Sequence, residues 1–241
     1  MSGARSSRTL LRQEVVEGIK KYILRERLRP GDLLPTETAL CEALGASRSS
    51  VREAIKILDA LDIVDVRHGH GTYVGRLSLS ALVESLTFRG LLSPGDDFRV
   101  MADLVDVREL FERGMAERIV SSLDDGQLDA LDSLVRAMRE TGAGDGSGYV
   151  AADRAFHELL VSPVGNELIS QLSMAFWDVY TVVAPHLAGF TPVDEESTVR
   201  AHQALVDAAR AKDVPAFLRA LEEHYAPVRR RVGESRAAGS S

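Results

Sequence analysis

The chain has a single cysteine, Cys41, in 241 residues, one tryptophan, and aromatics at only 5% of the total. One thiol excludes an internal disulfide framework and suits a reducing, cytoplasmic setting. No apolar run reaches the ~18–20 residues that span a bilayer, so no membrane partner is expected. The opening residues, MSGARSSRTLLRQ, hold no apolar signal core and read as a short, basic, flexible arm over residues 1–9. Net positive charge is missing too: 29 basic side chains stand against 36 acidic ones, a formal −7. The deficit is uneven. Residues 1–77 carry 13 basic and 10 acidic side chains, the remainder 16 and 26. A polyanion is thus admissible at the front of the chain and disfavoured behind it.

What the chain does have is hydrophobic periodicity, with 45% hydrophobic and 27% charged residues in an ordinary globular balance. Leu11 to Leu28 repeats at helical spacing through Val15, Ile19, Ile23 and Leu24, and RPGD at Arg29–Asp32 stops it. LPTETALCEALGA predicts a short helix capped at Thr36 and closed by Gly45. SRSSVREAIKILDALDI predicts a second, starting at Ser47 and turning Val51, Ala54, Ile55, Leu58 and Leu61 inward. VDVRHGHGTYV alternates β-branched residues around glycines and reads as a two-stranded hairpin. Three helices and a hairpin, in that order, define a winged helix-turn-helix domain over residues 10–76. From Ser78 onward every periodic stretch is helical (80–92, 98–121, 125–140, 149–161, 165–183, 196–211 and 213–231). The breaks fall at SPGDD, SLDDG, TGAGDGSG, SPVGN and LAGFTPVDEE. The fold expected is therefore mainly α: the winged domain, then an all-α bundle of six or seven helices over 78–231, with 232–241 a disordered tail.

In a helix-turn-helix the second helix presents its N-terminal side chains to base edges in the major groove. Here that helix opens SRSSVRE, so Ser47, Arg48, Ser49, Ser50 and Arg52 supply hydroxyl and guanidinium donors. Arginine can bridge O6 and N7 of guanine, while hydroxyls reach phosphate oxygens. The hairpin tip RHGHG offers Arg67 and His68 to the backbone or minor groove, with Gly69 and Gly71 permitting close approach.

In the helical half, DRAFHELL places Asp153 and His157 four residues apart within an apolar repeat, on one helix face. His202 lies in the stripe Val199, His202, Leu205, Val206, Ala209, and His224 in Phe217, Leu218, Leu221, His224, Val228. Three imidazoles and one carboxylate, from three helices, thus point into a bundle core, where an unpartnered polar group is costly. One cation would satisfy all four. Nitrogen-rich ligation with a single carboxylate suits Zn²⁺, with Ni²⁺ and Mn²⁺ as alternatives, better than Ca²⁺ or Mg²⁺. Arg108, in the run Leu104, Arg108, Phe111, Met115, also faces inward. It either pairs with Glu112 one turn on or forks a carboxylate ligand beside the metal. Trp177 and Tyr180 could wall such a pocket or simply fill core.

The stretch GDLLPTETALCEALGASRSSVREAIKILDALDIVDVRHGHGTYV resembles the winged-helix domain of the GntR family of transcription regulators. The resemblance implies DNA contacts at Ser47, Arg48, Ser49, Ser50, Arg52, His68 and Gly69. Thr38 departs from the pattern, since relatives often carry arginine directly after the Glu of L-P-x-E. The body from about Ser78 to Arg231, with VREL.E, D-x-x-F-H, GN and two later histidines, is similar to the FCD ligand-binding domain of the FadR subgroup. That resemblance implies metal ligands at Asp153, His157, His202 and His224, a small organic acid as effector, a homodimer and a double-stranded DNA operator. It implies a regulator, not an enzyme. The rival reading is a metal-dependent enzyme fused to a DNA-binding domain, against which no general base stands near the ligands, Glu158 facing away from His157.

Overall fold

The computed structural model describes residues 3–92, 97–141, 147–183 and 195–238, and the chain divides into two compact units at Ala81/Leu82. The first unit holds α1 (Gly3–Arg25), α2 (Glu37–Leu44), α3 (Arg48–Ala60) and the antiparallel hairpin of β1 (Val64–Arg67) with β2 (Gly71–Val74). Its core holds most of the expected residues, Val15, Ile19 and Ile23 from α1 and Val51, Ala54, Ile55 and Leu58 from α3, together with Leu40 from α2 and Val64 and Val74 from the strands. The starts of α2 and α3 each carry a hydrogen-bonded cap. The Thr36 hydroxyl accepts from Ala39 N at 3.3 Å, and the Ser47 hydroxyl accepts from Ser50 N at 3.2 Å, each satisfying an amide that the helix leaves unpaired. Between them Gly45 closes α2 at φ 62°, a left-handed conformation that costs glycine nothing.

Two residues that periodicity turns inward are outside. Leu24 is 76% exposed and Leu61 45% exposed. Both lie at the C-terminal end of their helix, where the chain turns away from the core. Helix α1 also reaches back to Gly3, so the stretch expected as a flexible arm over 1–9 is helical from residue 3. No proline interrupts it, and its Ala, Arg, Ser and Leu residues are compatible with helix.

The second unit contains α4 (Ser80–Leu91), α5 (Asp97–Ser122), α6 (Asp125–Thr141), α7 (Ser147–Val161), a 3₁₀ turn at Ser162–Val164, α8 (Glu167–Val183), α9 (Glu195–Arg210) and α10 (Val214–Ala238). Seven α-helices among the described residues meet the upper count expected. Helix α10 runs through Ala238, into the tail expected as disordered over 232–241, carried by Glu234 and the alanines Ala237 and Ala238, which favour helix. The breaks SPGDD, TGAGDGSG and LAGFTPVDEE, together with His186, fall wholly or largely outside the described residues.

Helix α6 packs on α7 and α9, and α10 packs on α5 and α9, around one apolar cluster. Leu128, Leu131, Val135 and Met138 form the inward row of α6, meeting Ile119 of α5, Phe156 and Leu160 of α7, Leu205 of α9, and Phe217 and Leu221 of α10. The turns are tied down. Asp124 Oδ1 accepts from Gln127 N at 2.8 Å while Gln127 Oε1 accepts from Asp124 N at 3.0 Å, a reciprocal cap at the start of α6. Lys212 Nζ donates to the carbonyls of Val120 and Leu123 at 2.8 and 2.7 Å, closing the end of α5 from the α9–α10 turn. Because Phe217 is fully buried, Phe217→Ala should lower unfolding free energy by about 3–5 kcal/mol in urea denaturation followed by circular dichroism. Leu24→Ala should stay within about 0.5 kcal/mol of the parent.

Candidate metal centre and nucleic-acid interface

Helices α5, α7, α9 and α10 each bring polar side chains to the bundle interior. Arg108, Glu112, His157 and His202 are all under 8% exposed, an unusual load for an apolar core. Asp153 and His157 sit one turn apart on α7, as their spacing requires, and His157 Nε2 lies 3.5 Å from Asp153 Oδ1. From α9, His202 Nε2 approaches the same oxygen at 2.9 Å. From α10, the ring of His224 centres 4.5 Å from that of His202 and 5.2 Å from that of His157. One nitrogen from each of the three histidines lies within 4.8 Å of the other two. Donors around a tetrahedral ion with bonds near 2.0–2.1 Å stand about 3.3 Å apart, so the group fits a divalent cation with modest side-chain adjustment.

The hydrogen bonding of His202 carries the same message. Its Nδ1 is 2.8 Å from the Thr198 carbonyl, which can only accept, so Nδ1 carries the proton. In the neutral ring this leaves a lone pair on Nε2 facing a carboxylate oxygen at 2.9 Å. Two acceptors face each other unless a cation or a proton lies between them. A carbonyl fixing the outer nitrogen of a metal-facing histidine is a recurring arrangement.

Electrostatics set the charge of each group. Burial would push the Asp153 carboxyl up, but a proton shared with His202 Nε2, the alternative to a cation there, and the nearby imidazoles hold it well below the usual carboxylate range. Burial, reinforced by His202 and His157, pushes His224 well below the ordinary imidazole value and leaves it neutral. Burial also opposes charge on Arg108 and Glu112, yet Glu112 and Asp153 keep the guanidinium charged. His157 and Arg108 keep Glu112 ionised. Tyr225 is pushed up by burial and stays a phenol.

Several of these groups remain without hydrogen-bond partners: Arg108 Nε and Nη2, both Glu112 oxygens, Nδ1 of His157 and of His224, and the Tyr225 hydroxyl. Arg108 stands 3.9 Å from Glu112, too far for a hydrogen bond, so the helical pair expected as one of its two roles is loose. Tyr180 is half-buried on α8 and close enough to Arg108 to influence its charge. Trp177 is buried, with the Arg154 guanidinium 6.0 Å from its ring centre and its Nε1–H unpartnered. Glu112 and Tyr225 are members of the cluster that periodicity did not single out. Glu112 was legible only as a partner for Arg108, and an aromatic in an apolar stripe gives no separate signal.

In the first unit, Ser47, Arg48, Ser49 and Arg52 are exposed at the start of α3 and Ser50 is half-buried. The Ser47 oxygen is engaged in capping, with the Ser49 and Ser50 hydroxyls each 2.9 Å away. Arg48 Nη2 reaches the Thr38 hydroxyl at 3.5 Å, and Arg52 Nε donates to Glu37 Oε2 at 2.7 Å. Arg67 pairs with Asp65 at 2.8 Å and lies 4.2 Å over the Tyr73 ring. His68 and Gly69 are exposed at the hairpin tip, where Gly69 takes φ 79°. The acidic partners Glu37 and Asp65 carry no marker in the sequence. Among the described residues no helix is long and apolar enough to cross a membrane.

Residues 11–74 match the bacterial regulatory proteins of the gntR family, and residues 103–227 match the FCD domain. The transcriptional regulatory protein NedR of Micromonospora viridifaciens is 42% identical over 115 residues, spanning 48% of this chain and 81% of that protein. The galactonate operon transcriptional repressor of Escherichia coli is 26% identical over 220 residues, 91% of this chain and 96% of its own. Among solved structures, a Streptococcus agalactiae GntR superposes with a TM-score of 0.62 at 25% identity, covering 91% of this chain and 99% of that one. These relatives and families are regulators of transcription and not enzymes. The chain belongs to the GntR family of bacterial regulatory proteins, with an FCD domain as its helical half, and is a DNA-binding transcriptional regulator.

Proposed function

We propose that this regulator binds a short, pseudo-palindromic operator as a homodimer and is controlled by a small organic acid taken up in the helical half beside a divalent cation. The observation that carries this reading is the convergence of His157, His202 and His224, with Asp153 Oδ1 against two of them, near a charged Arg108 that has unpartnered donors in an apolar bundle; His157, His202 and Arg108 are buried, Asp153 and His224 half-buried. A guanidinium with free Nε and Nη2 donors is the natural fork for a carboxylate. One full-length relative is named for the galactonate operon and as a repressor, which supports an organic acid as ligand and relief of repression as the outcome.

In this reading Asp153, His157, His202 and His224 hold the cation, with Zn²⁺ favoured by the donor set and Ni²⁺ or Mn²⁺ as alternatives. The cation supplies a Lewis-acid anchor for an oxygen of the acid. Arg108 binds and orients its carboxylate, Tyr180 closes beside the guanidinium, and Trp177 supports the helix that carries Tyr180. Ser47 shapes the start of α3. Arg48 and Arg52 reach bases or phosphates by leaving exposed partners, a cheap exchange because such surface pairs are worth only about 0–1 kcal/mol. Ser49, Ser50, His68 and Gly69 approach the backbone and minor groove. The acid acts on operator occupancy only through unequal affinity for the DNA-competent and DNA-released states, with couplings typically of about 1–3 kcal/mol.

DNA selected from a random pool should yield a two-fold symmetric site, and Arg48→Ala should weaken binding to it by about 1–3 kcal/mol in fluorescence anisotropy. Binding like that of the parent would remove Arg48 from the interface. Metal analysis of the purified protein should find one transition-metal ion per chain, and His202→Ala should lose it. A thermal-shift screen of small carboxylic acids should raise the melting temperature of the parent and leave Arg108→Ala unmoved. A parent that retains no metal and responds to no acid would overturn the sensor reading while leaving the DNA reading intact.

A further inference from the structure

Glu112 is the buried charge that the site above does not use. It is 1% exposed on α5, neither of its oxygens has a hydrogen-bond partner, and three groups surround it: His157, Arg108 and Tyr225. The obvious assignment is a neutralising partner for Arg108 one turn away on the same helix. Distances argue against it. Glu112 Oε1 is 3.3 Å from His157 Nδ1 but 3.9 Å from Arg108 Nη2, and two of the guanidinium nitrogens remain unpartnered.

His157 has one ring nitrogen turned to each of two carboxylates. Nε2 is 3.5 Å from Asp153 Oδ1, the oxygen that His202 Nε2 also approaches, so Nε2 faces the cation site. Nδ1 faces Glu112 from the opposite side of the ring. An imidazole offers its lone pair on one nitrogen only when the other carries the proton. A carboxylate accepting that proton fixes the tautomer, orients the ring and makes the coordinating nitrogen a stronger donor. The rings of His157 and His202 would then be held in the same way by different means, His202 by the Thr198 carbonyl and His157 by a charged carboxylate.

We propose that Glu112 is a positioning residue for the metal centre: it accepts the Nδ1–H of His157 and aims Nε2 at the cation, leaving Arg108 free for an anion. The inference rests on the metal reading above. Three consequences separate it from a merely structural ion pair. Competition titration with Zn²⁺ or Co²⁺ against a chromogenic chelator should show Glu112→Gln binding about 10–100-fold more weakly than the parent. The visible spectrum of the Co²⁺ form should shift in band position or intensity, because the His157–Co²⁺ bond changes. In the metal-loaded parent, ¹⁵N imidazole NMR should place the His157 proton on Nδ1, with the signal identified by its loss in His157→Gln.

Metal affinity within about twofold of the parent, with only the metal-free melting temperature lowered, would overturn the proposal and return Glu112 to a structural role. Coordination of His157 through Nδ1 would overturn it equally, and that measurement needs no Glu112 variant to fold. A parent that binds neither ion would remove the metal centre itself, a distinct result from a parent that binds and a Glu112→Gln that binds as well.

Discussion

The helical half depends on a balance between burial and charge. Arg108, Glu112 and Asp153 are ionised, and three imidazoles join them in a space otherwise filled by Phe156, Leu160, Leu205 and Phe217. Each ion withdrawn from water costs several kcal/mol even after relaxation, and mutual attraction repays this only when the geometry is good and the remaining lone pairs and protons are met. Arg108 stands beside Glu112, Glu112 beside His157, and His157 and His202 beside Asp153. These neighbours keep the carboxylates charged against the pull of burial. They do not complete the hydrogen bonds, since polar atoms of Arg108, Glu112, His157, His224 and Tyr225 are still without partners. These are the atoms that the proposed cation and acid would meet.

The same constraint dictates helix placement. The side chains proposed to hold the cation and the acid come from α5, α7, α9 and α10, so in that reading all four helices keep their relative register to within the reach of a hydrogen bond. The tight fixings lie where that register is set. Lys212 binds two terminal carbonyls of α5 from the turn between α9 and α10. Arg154, next to Asp153, donates to Asp178 on α8 at 3.0 Å. The large apolar cluster supplies the stability on which these polar fixings impose direction.

The DNA-reading half works by the opposite economy. Its polar residues are exposed and its ion pairs, Arg52 with Glu37 and Arg67 with Asp65, are of the kind that solvent screens. In the proposed reading, phosphate or guanine replaces the carboxylates at little cost. The Gly45 turn and the Ser47 cap set how α3 begins, whereas the polar groups of the bundle are enclosed.

Much of this was legible along the chain. Helical periodicity with Thr36, Gly45 and Ser47 as punctuation determined the order of the winged domain, because local backbone and capping energetics act over a few residues. The spacing of Asp153 and His157, and the apolar stripes around His202 and His224, determined which polar groups would share the interior. The tertiary structure decided what periodicity leaves open, namely the partner each face meets. The contact of His202 with Asp153 crosses 49 positions, and that of Arg52 with Glu37 crosses 15. It also decided that Leu24 and Leu61 lie outside, that α1 and α10 extend past their expected ends, and that Glu112 faces His157 more closely than Arg108. A repeat in sequence gives a direction around a helix axis; only packing against other helices turns that direction into a distance.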